Sequence, residues 1–300
     1  MQKKLLFFVN PRAGHSEIRG TLMQVLQIFT AGGYEVTVHP TSAPRDLTRQ
    51  LAARGTQYDL VVCTGGDGTL NEAVSGLMQL PAEKRPPIGY IPSGTVNDVA
   101  RTLGLSMDTV QAAQDIVSGR AFPLDVGSFG EGGWFVYVAA FGLFTGVPYQ
   151  TPQENKQVLG RLAYFLNGVK ALSDVRPIRA HVSYGEEELE LELLDGLVCS
   201  TTSVGGILKL ESLGISLNDG WSEMLLVRDI KNLAEFNSVG TALLKNDFRS
   251  NENLVSGKVQ RVRFRFDEPV DWTLDGEYGG TVTDVEIVNH QRAVNIIVPR

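Results

Sequence analysis

The chain has 300 residues, 43% of them apolar and 20% charged, which excludes a disordered protein and suffices for a full core without disulfide staples. Lys and Arg number 27 against 34 Asp and Glu, a net charge of −7. Nucleic-acid binding in general needs a basic footprint to displace counterions from phosphate, so no nucleic-acid partner is expected.

The first 125 residues alternate strand and helix signals. LLFFVN is a short apolar run ending at Asn10-Pro11, which reads as a buried parallel strand and is too short for a signal peptide or a membrane span. A cytoplasmic protein with peripheral membrane contact at most is the expectation. Leu22, Val25, Leu26 and Phe29 fall at helical spacing within Thr21 to Ala31, closed by Gly32-Gly33. Strand YEVTVHP, helix DLTRQLAARG, strand DLVVCTGG, helix TLNEAVSGLM, strand IGYIPSG and helix NDVARTLGL follow. This order predicts a doubly wound α/β domain with a parallel sheet, whose ligands sit at the carboxyl ends of the strands.

Near Asp125 the pattern changes. GSFGEGG reads as a hairpin loop, and Glu154 to Ser173 as an amphipathic helix. Beyond it RAHVSY, ELELELLDGLVCS, SEMLLVRD, KVQRVRFRFD, VDWTLDGE, DVEIVN and AVNIIVP alternate as antiparallel strands, predicting a β-sandwich. Cys63 and Cys199 lie inside apolar runs and read as buried thiols. His39, His181 and His290 show no ligand spacing. Trp134, Phe135, Tyr137, Phe141, Phe144 and Tyr149 either build the core or line an acyl-chain cleft.

Glycine is in excess, at 32 residues in 300 against a usual ~7%, and the excess gathers at strand ends. Thr64-Gly65-Gly66-Asp67-Gly68-Thr69-Leu70-Asn71-Glu72 follows a strand and opens a helix. Glycines there let successive N–H groups cradle phosphate oxygens, and the helix adds its dipole. An aspartate amid phosphate requires a cation, so Asp67 reads as bound to Mg²⁺ directly or through water. Asn10-Pro11-Arg12-Ala13-Gly14 and Pro92-Ser93-Gly94-Thr95-Val96-Asn97-Asp98 close two more strands on the same edge. Each alone would pass for an ordinary loop; three together make a nucleotide site. Neither a G-x-x-x-x-G-K-S/T nor a G-x-G-x-x-G motif occurs. By themselves, Asn218-Asp219-Gly220 and Asp275-Gly276 are turn sequences.

The ordered set NPRAG, GGDGTLNEAVSG, PSGTVNDVAR, PLDVG, TPQENKQVLGRLAYFLNG, NDGWSEMLLV and TLDGEYGG resembles the diacylglycerol kinase catalytic-domain superfamily, in particular its bacterial soluble lipid kinases, with sphingosine kinases as more distant relatives. The resemblance implies an N-terminal domain of the NAD kinase and phosphofructokinase fold over 1–125, a β-sandwich lipid-binding domain over 126–290, and a last strand, about 291–300, returning to the first domain. It implies an ATP- and Mg²⁺-dependent kinase acting on a lipid hydroxyl, most simply diacylglycerol to phosphatidic acid, at the membrane surface. ATP would contact Asn10, Thr41, Gly65, Gly66, Asp67, Gly68, Thr69, Leu70, Asn71, Glu72, Gly94 and Thr95. Glu277 would be the general base, with Asp67 also catalytic. Asp219 would bind a structural Mg²⁺, helped by the carbonyls of Ser216 and Trp221, and Asp98 and Asp125 would stand near the active-site cations. His15 stands where relatives often carry lysine, and Leu210–Gly214 replaces a proline-alanine segment. The alternatives are an NAD kinase-like enzyme, sharing GGDG, and an inactive nucleotide- or lipid-binding regulator. A homodimer stays open.

Overall fold

The apolar runs of the first ninety-odd residues form β1 (Lys3–Val9), β2 (Tyr34–Pro40), β3 (Leu60–Gly65) and β4 (Ile88–Pro92), all paired in parallel. A computed structural model describes residues 2–11, 17–142, 176–201, 203–204, 208–210 and 214–300. The chain divides into two units, Met1–Val126 with Gln291–Arg300, and Gly127–His290.

In the first unit the strand order is β4-β3-β1-β2, interleaved with α1 (Glu17–Ala31), α2 (Asp46–Arg54), α3 (Asp67–Leu77), α4 (Asp98–Thr102) and α5 (Thr109–Ser118). α1 packs with α5 and α2 with α3. Right-handed crossovers put these two pairs on opposite faces, because the chain reverses direction across the sheet after β2. β3 and β4 are accordingly buried along their whole length. Phe7 and Phe29 meet edge to face at 5.6 Å in the core under α1, beside Leu5, Val62, Ile91 and Ile116. Cys63 is buried, and burial pushes its thiol up to about 12.

The second unit opens with β5 (Arg120–Phe129), which begins in the first unit, then β6 (Gly133–Phe135) and β7 (Val138–Gly142). It continues with β8 (Ile178–Tyr184), β9 (Glu187–Cys199), the short pair β10 (Ser203–Val204) and β11 (Leu208–Lys209), β12 (Ser222–Arg228), α6 (Leu233–Lys245), β13 (Leu254–Val259), β14 (Arg261–Leu274) and β15 (Glu277–Val298). β8 and β7 lie end to end between the long strands β9 and β14: Ile178 pairs with Leu193 and Gly142 with Asp195.

The antiparallel layers come from one sheet folded over. Phe264 and Trp272 are eight residues apart on β14, which a straight strand would separate by ~26 Å. Their ring centroids are 5.4 Å apart. The fold falls where the β14–β15 register breaks, between Arg265 and Val270. Phe141 fills the interior against Phe264, Phe266 and Trp272, so this aromatic belongs to the core, as do the buried Phe135 and Tyr137. Trp134 stands edge to face on His290 at 5.3 Å. Phe144, Tyr149, the Glu154 to Ser173 stretch and Arg12, Ala13, Gly14 and His15 lie outside the described residues. No helix among the described residues is long and apolar enough to cross a membrane. An α/β unit joined to an antiparallel β unit is the fold class predicted above.

Candidate active site

The order β4-β3-β1-β2 places the topological switch between β1 and β3, where the helices that follow the two strands, α1 and α3, lie on opposite faces. The loop after β3 is Gly65-Gly66, and Gly66 is the N-cap of α3, with no side chain capping that helix end. Thr69 packs its side chain over Gly65 so closely that a Cβ there would meet Thr69 Oγ1 at 2.1 Å. Ser93 N–H donates to the Gly65 carbonyl at 2.8 Å, tying the loop after β4 to this one. A Cβ on Gly94 would lie 2.5 Å from Gly66 Cα, so the two loops meet backbone to backbone. Asn97 closes the second loop at positive φ (54°): its Oδ1 accepts from Gly94 N–H at 3.0 Å and its Nδ2 donates to the Gly94 carbonyl at 2.8 Å. The Tyr90 hydroxyl lies 3.1 Å from the Gly65 carbonyl oxygen and 3.3 Å from Asn97 Oδ1. Burial drives its pKa well above the ordinary phenol value, so it stays a donor.

Asp67 starts α3, yet its carboxylate turns to the neighbouring helix. Its oxygens accept from the N–H groups of Asp98 (3.3 Å) and Val99 (3.4 Å), at the N-terminus of α4. Burial raises its pKa, against the lowering effect of those N–H bonds. Glu72 is occupied by the loop after β2, where Arg45, at φ 60°, donates its N–H to Oε1 at 2.9 Å. Thr41 N–H donates to the Val9 carbonyl at 2.9 Å, which carries the β1–β2 pairing beyond the strand ends and sets Thr41 near Asn10. Ser42 is held by Asp46, which accepts from its N–H and hydroxyl at 3.0 Å each and from His39 at 3.2 Å. Leu70 is fully buried, leaving its backbone alone for any ligand, whereas Thr95 is exposed. Asp98 and Asp125 are both buried, and Asp125 Oδ1 accepts from Arg292 N–H at 2.7 Å.

In the second unit Leu274-Asp275-Gly276-Glu277 is the β14–β15 hairpin turn, with Leu274 paired to Glu277. Asp275 and Gly276 both have positive φ, 49° and 81°, as a type I′ turn requires. Glu277 is exposed at the start of β15. Asp275 is 4% exposed, and its carboxylate accepts from Val136 N–H (2.7 Å), Tyr137 N–H (2.9 Å) and Val138 N–H (3.1 Å). Asp219 uses one carboxylate oxygen for the N–H of Trp221 at 3.0 Å and turns the other to Lys258 Nζ at 3.4 Å. The Ser216 hydroxyl donates to Asn218 Oδ1 at 3.4 Å. A structural Mg²⁺ on Ser216, Asp219 and Trp221 does not fit this donor set, because an ammonium already stands against the Asp219 carboxylate.

Residues 4–129 match the diacylglycerol kinase catalytic domain. The diacylglycerol kinase of Bacillus subtilis (strain 168) is 37% identical over 302 residues, covering 99% of this chain and 97% of the relative. The chain belongs to the diacylglycerol kinase family. A diacylglycerol kinase of Staphylococcus epidermidis (strain ATCC 12228) is 30% identical over 301 residues, covering 100% of this chain and 93% of the relative. Among solved structures, a diacylglycerol kinase from Bacillus anthracis str. Sterne shares the fold with a TM-score of 0.76 at 22% identity, over 99% of this chain and 97% of that one.

The protein is therefore a lipid kinase, a phosphotransferase. In a diacylglycerol kinase-family chain the catalytic demand is placement and charge neutralisation more than covalent chemistry. In the loops after β3 and β4, Gly66, Asp67, Gly94 and Asn97 form one cross-braced backbone surface. Sequence reasoning missed Tyr90 and Asp275 as supports and Lys258 as a cation. Asp275 could have been found: Asp-Gly is the favoured pair of a type I′ turn, and an aspartate there has a carboxylate to spare for backbone N–H groups.

Proposed function

We propose that this lipid kinase transfers the γ-phosphoryl group of ATP to the free hydroxyl of diacylglycerol, giving phosphatidic acid. The observation that carries the reading is full-length identity of 37% with a relative named diacylglycerol kinase, together with a glycine loop whose helix end no side chain caps. The N–H groups of the Gly66–Glu72 stretch would receive the phosphates, with Asn10, Thr41, Gly65, Gly94 and Thr95 around the nucleotide. Mg²⁺ carried by the nucleotide would neutralise phosphate charge. Asp67 suits a water-mediated contact to that ion, because its carboxylate stays fixed on the N–H groups of Asp98 and Val99. Glu277, exposed and next to a rigid turn, would accept the hydroxyl proton as the oxygen attacks phosphorus. Because the acceptor lipid lies in bilayers, turnover would take place at a membrane surface by transient contact.

Radiolabelled transfer from ATP into a panel of lipids in mixed micelles, with NAD included as an acceptor, tests this. Diacylglycerol should be labelled most, and Glu277→Gln should lower kcat by about 10²–10⁴-fold with KM for ATP unchanged. Label appearing in NAD and in no lipid would overturn the reading, and full turnover by the Glu277→Gln enzyme would remove the base.

A further inference from the structure

We infer that the lysine at 258, rather than a divalent cation, neutralises and fixes the loop that carries Asp219. Three oxygen acceptors from three parts of the chain converge on Lys258 Nζ: the Gly214 carbonyl at 3.0 Å, Glu223 Oε1 at 3.3 Å and Asp219 Oδ2 at 3.4 Å. Lys258 donates hydrogen bonds to the Gly214 carbonyl and Asp219 Oδ2 and faces Glu223 as an ion pair, so one ammonium serves both carboxylates.

The sheet puts the ammonium there. Lys258 on β13 stands directly opposite Glu223 on β12, so the two side chains project from the same face of the pair. Glu223 is 1% exposed, and a carboxylate that deep is costly unless a charge partner accompanies it. Lys258 itself is 40% exposed along its side chain, so its stem reaches outward and its head returns over the loop. Gly214 and Gly220, at φ 68° and 83°, let the loop double back far enough to present both a carbonyl and a carboxylate to it. The remaining Asp219 oxygen is taken by Trp221 N–H. Mg²⁺ asks for a near-octahedral oxygen shell at about 2 Å. A divalent ion on Asp219 would have to displace the Lys258 head and leave Glu223 without its counter-charge. Lys258 thus does internally what a bound cation would do, and the loop is folded without metal. This inference is independent of the lipid and nucleotide assigned above.

The test uses the full chain with no nucleotide present. Calorimetric titration with Mg²⁺ and melting in Mg²⁺ or in EDTA should show no binding and no Tm shift that Asp219→Asn removes. Lys258→Met should lower Tm, and Lys258→Arg should recover part of the loss. A Mg²⁺-induced rise in the wild-type Tm that Asp219→Asn abolishes would overturn the inference, as would an unchanged Tm in Lys258→Met. Should Lys258→Met fail to fold, the wild-type and Asp219→Asn titrations still decide.

Discussion

At Asp275 one carboxylate closes the β14–β15 turn and holds three consecutive N–H groups, of Val136, Tyr137 and Val138. Asp67 follows the same logic in the first unit, spending its oxygens on the N–H groups of Asp98 and Val99. Acidic residues inside these motifs therefore hold backbone N–H groups in place. Removing such an acceptor leaves buried donors unpaired, at ~1–3 kcal/mol for each group left unsatisfied. Asp275→Ala should therefore cost ~3–6 kcal/mol, with partial relief from local relaxation. Urea unfolding checks this, and a loss under ~1 kcal/mol would show that the three bonds contribute little. Asp275→Asn should fall between, because an amide keeps one acceptor oxygen and turns an NH₂ toward backbone donors.

Two helices show how element signals can sit in plain view and still be passed over. α5 and α6 were absent from the sequence reading, although each carries its own cap: Asp108 accepts from Gln111 N–H at 2.8 Å, and Asn232 from Glu235 N–H at 3.0 Å. At α6 Glu235 also reaches back past the cap, its Oε2 accepting from Lys231 N–H at 2.8 Å, and Asn246 ends the helix at positive φ. α6 lies between two antiparallel strands whose period-two alternation dominates the local pattern, whereas α5 follows α4 directly. Asn232→Ala should cost about 1 kcal/mol and speed hydrogen exchange in the first turn of α6; unaltered exchange there would deny the cap its role. The backbone build of the loops after β3 and β4, by contrast, was legible, because glycine marks close approaches that neighbours in sequence reveal. The folding of β14 was not, because alternation continues on both sides of the bend and only Phe264 meeting Trp272 reports it. Nor were the partners of Asp275 and Lys258, which lie 137–139 and 35–44 residues away.

On the scale of the whole molecule, β15 serves both units, running in the second as far as His290 and in the first from Gln291 onward. Arg292 turns at φ 51° and gives its N–H to Asp125. Beyond it the strand lies beside β4, with Ile296 paired to Ile88, and Arg85 Nη1 donates to the Ala293 carbonyl at 2.8 Å. Val294, Ile296 and Val298 are 2%, 0% and 6% exposed. Three such side chains contribute about 5–9 kcal/mol of burial, on the order of the entire stability of a typical domain. Their removal would also leave the edge of β4 open to pairing with other chains. A chain cut after His290 should therefore lose hydrogen-exchange protection in β1, β3 and β4 and aggregate on heating. Ile296→Ala, which empties one position and keeps the strand, should cost ~2–5 kcal/mol and leave the same amides protected at low temperature. If the cut chain kept wild-type protection in β3, the first unit would be shown to stand without the strand that returns to it.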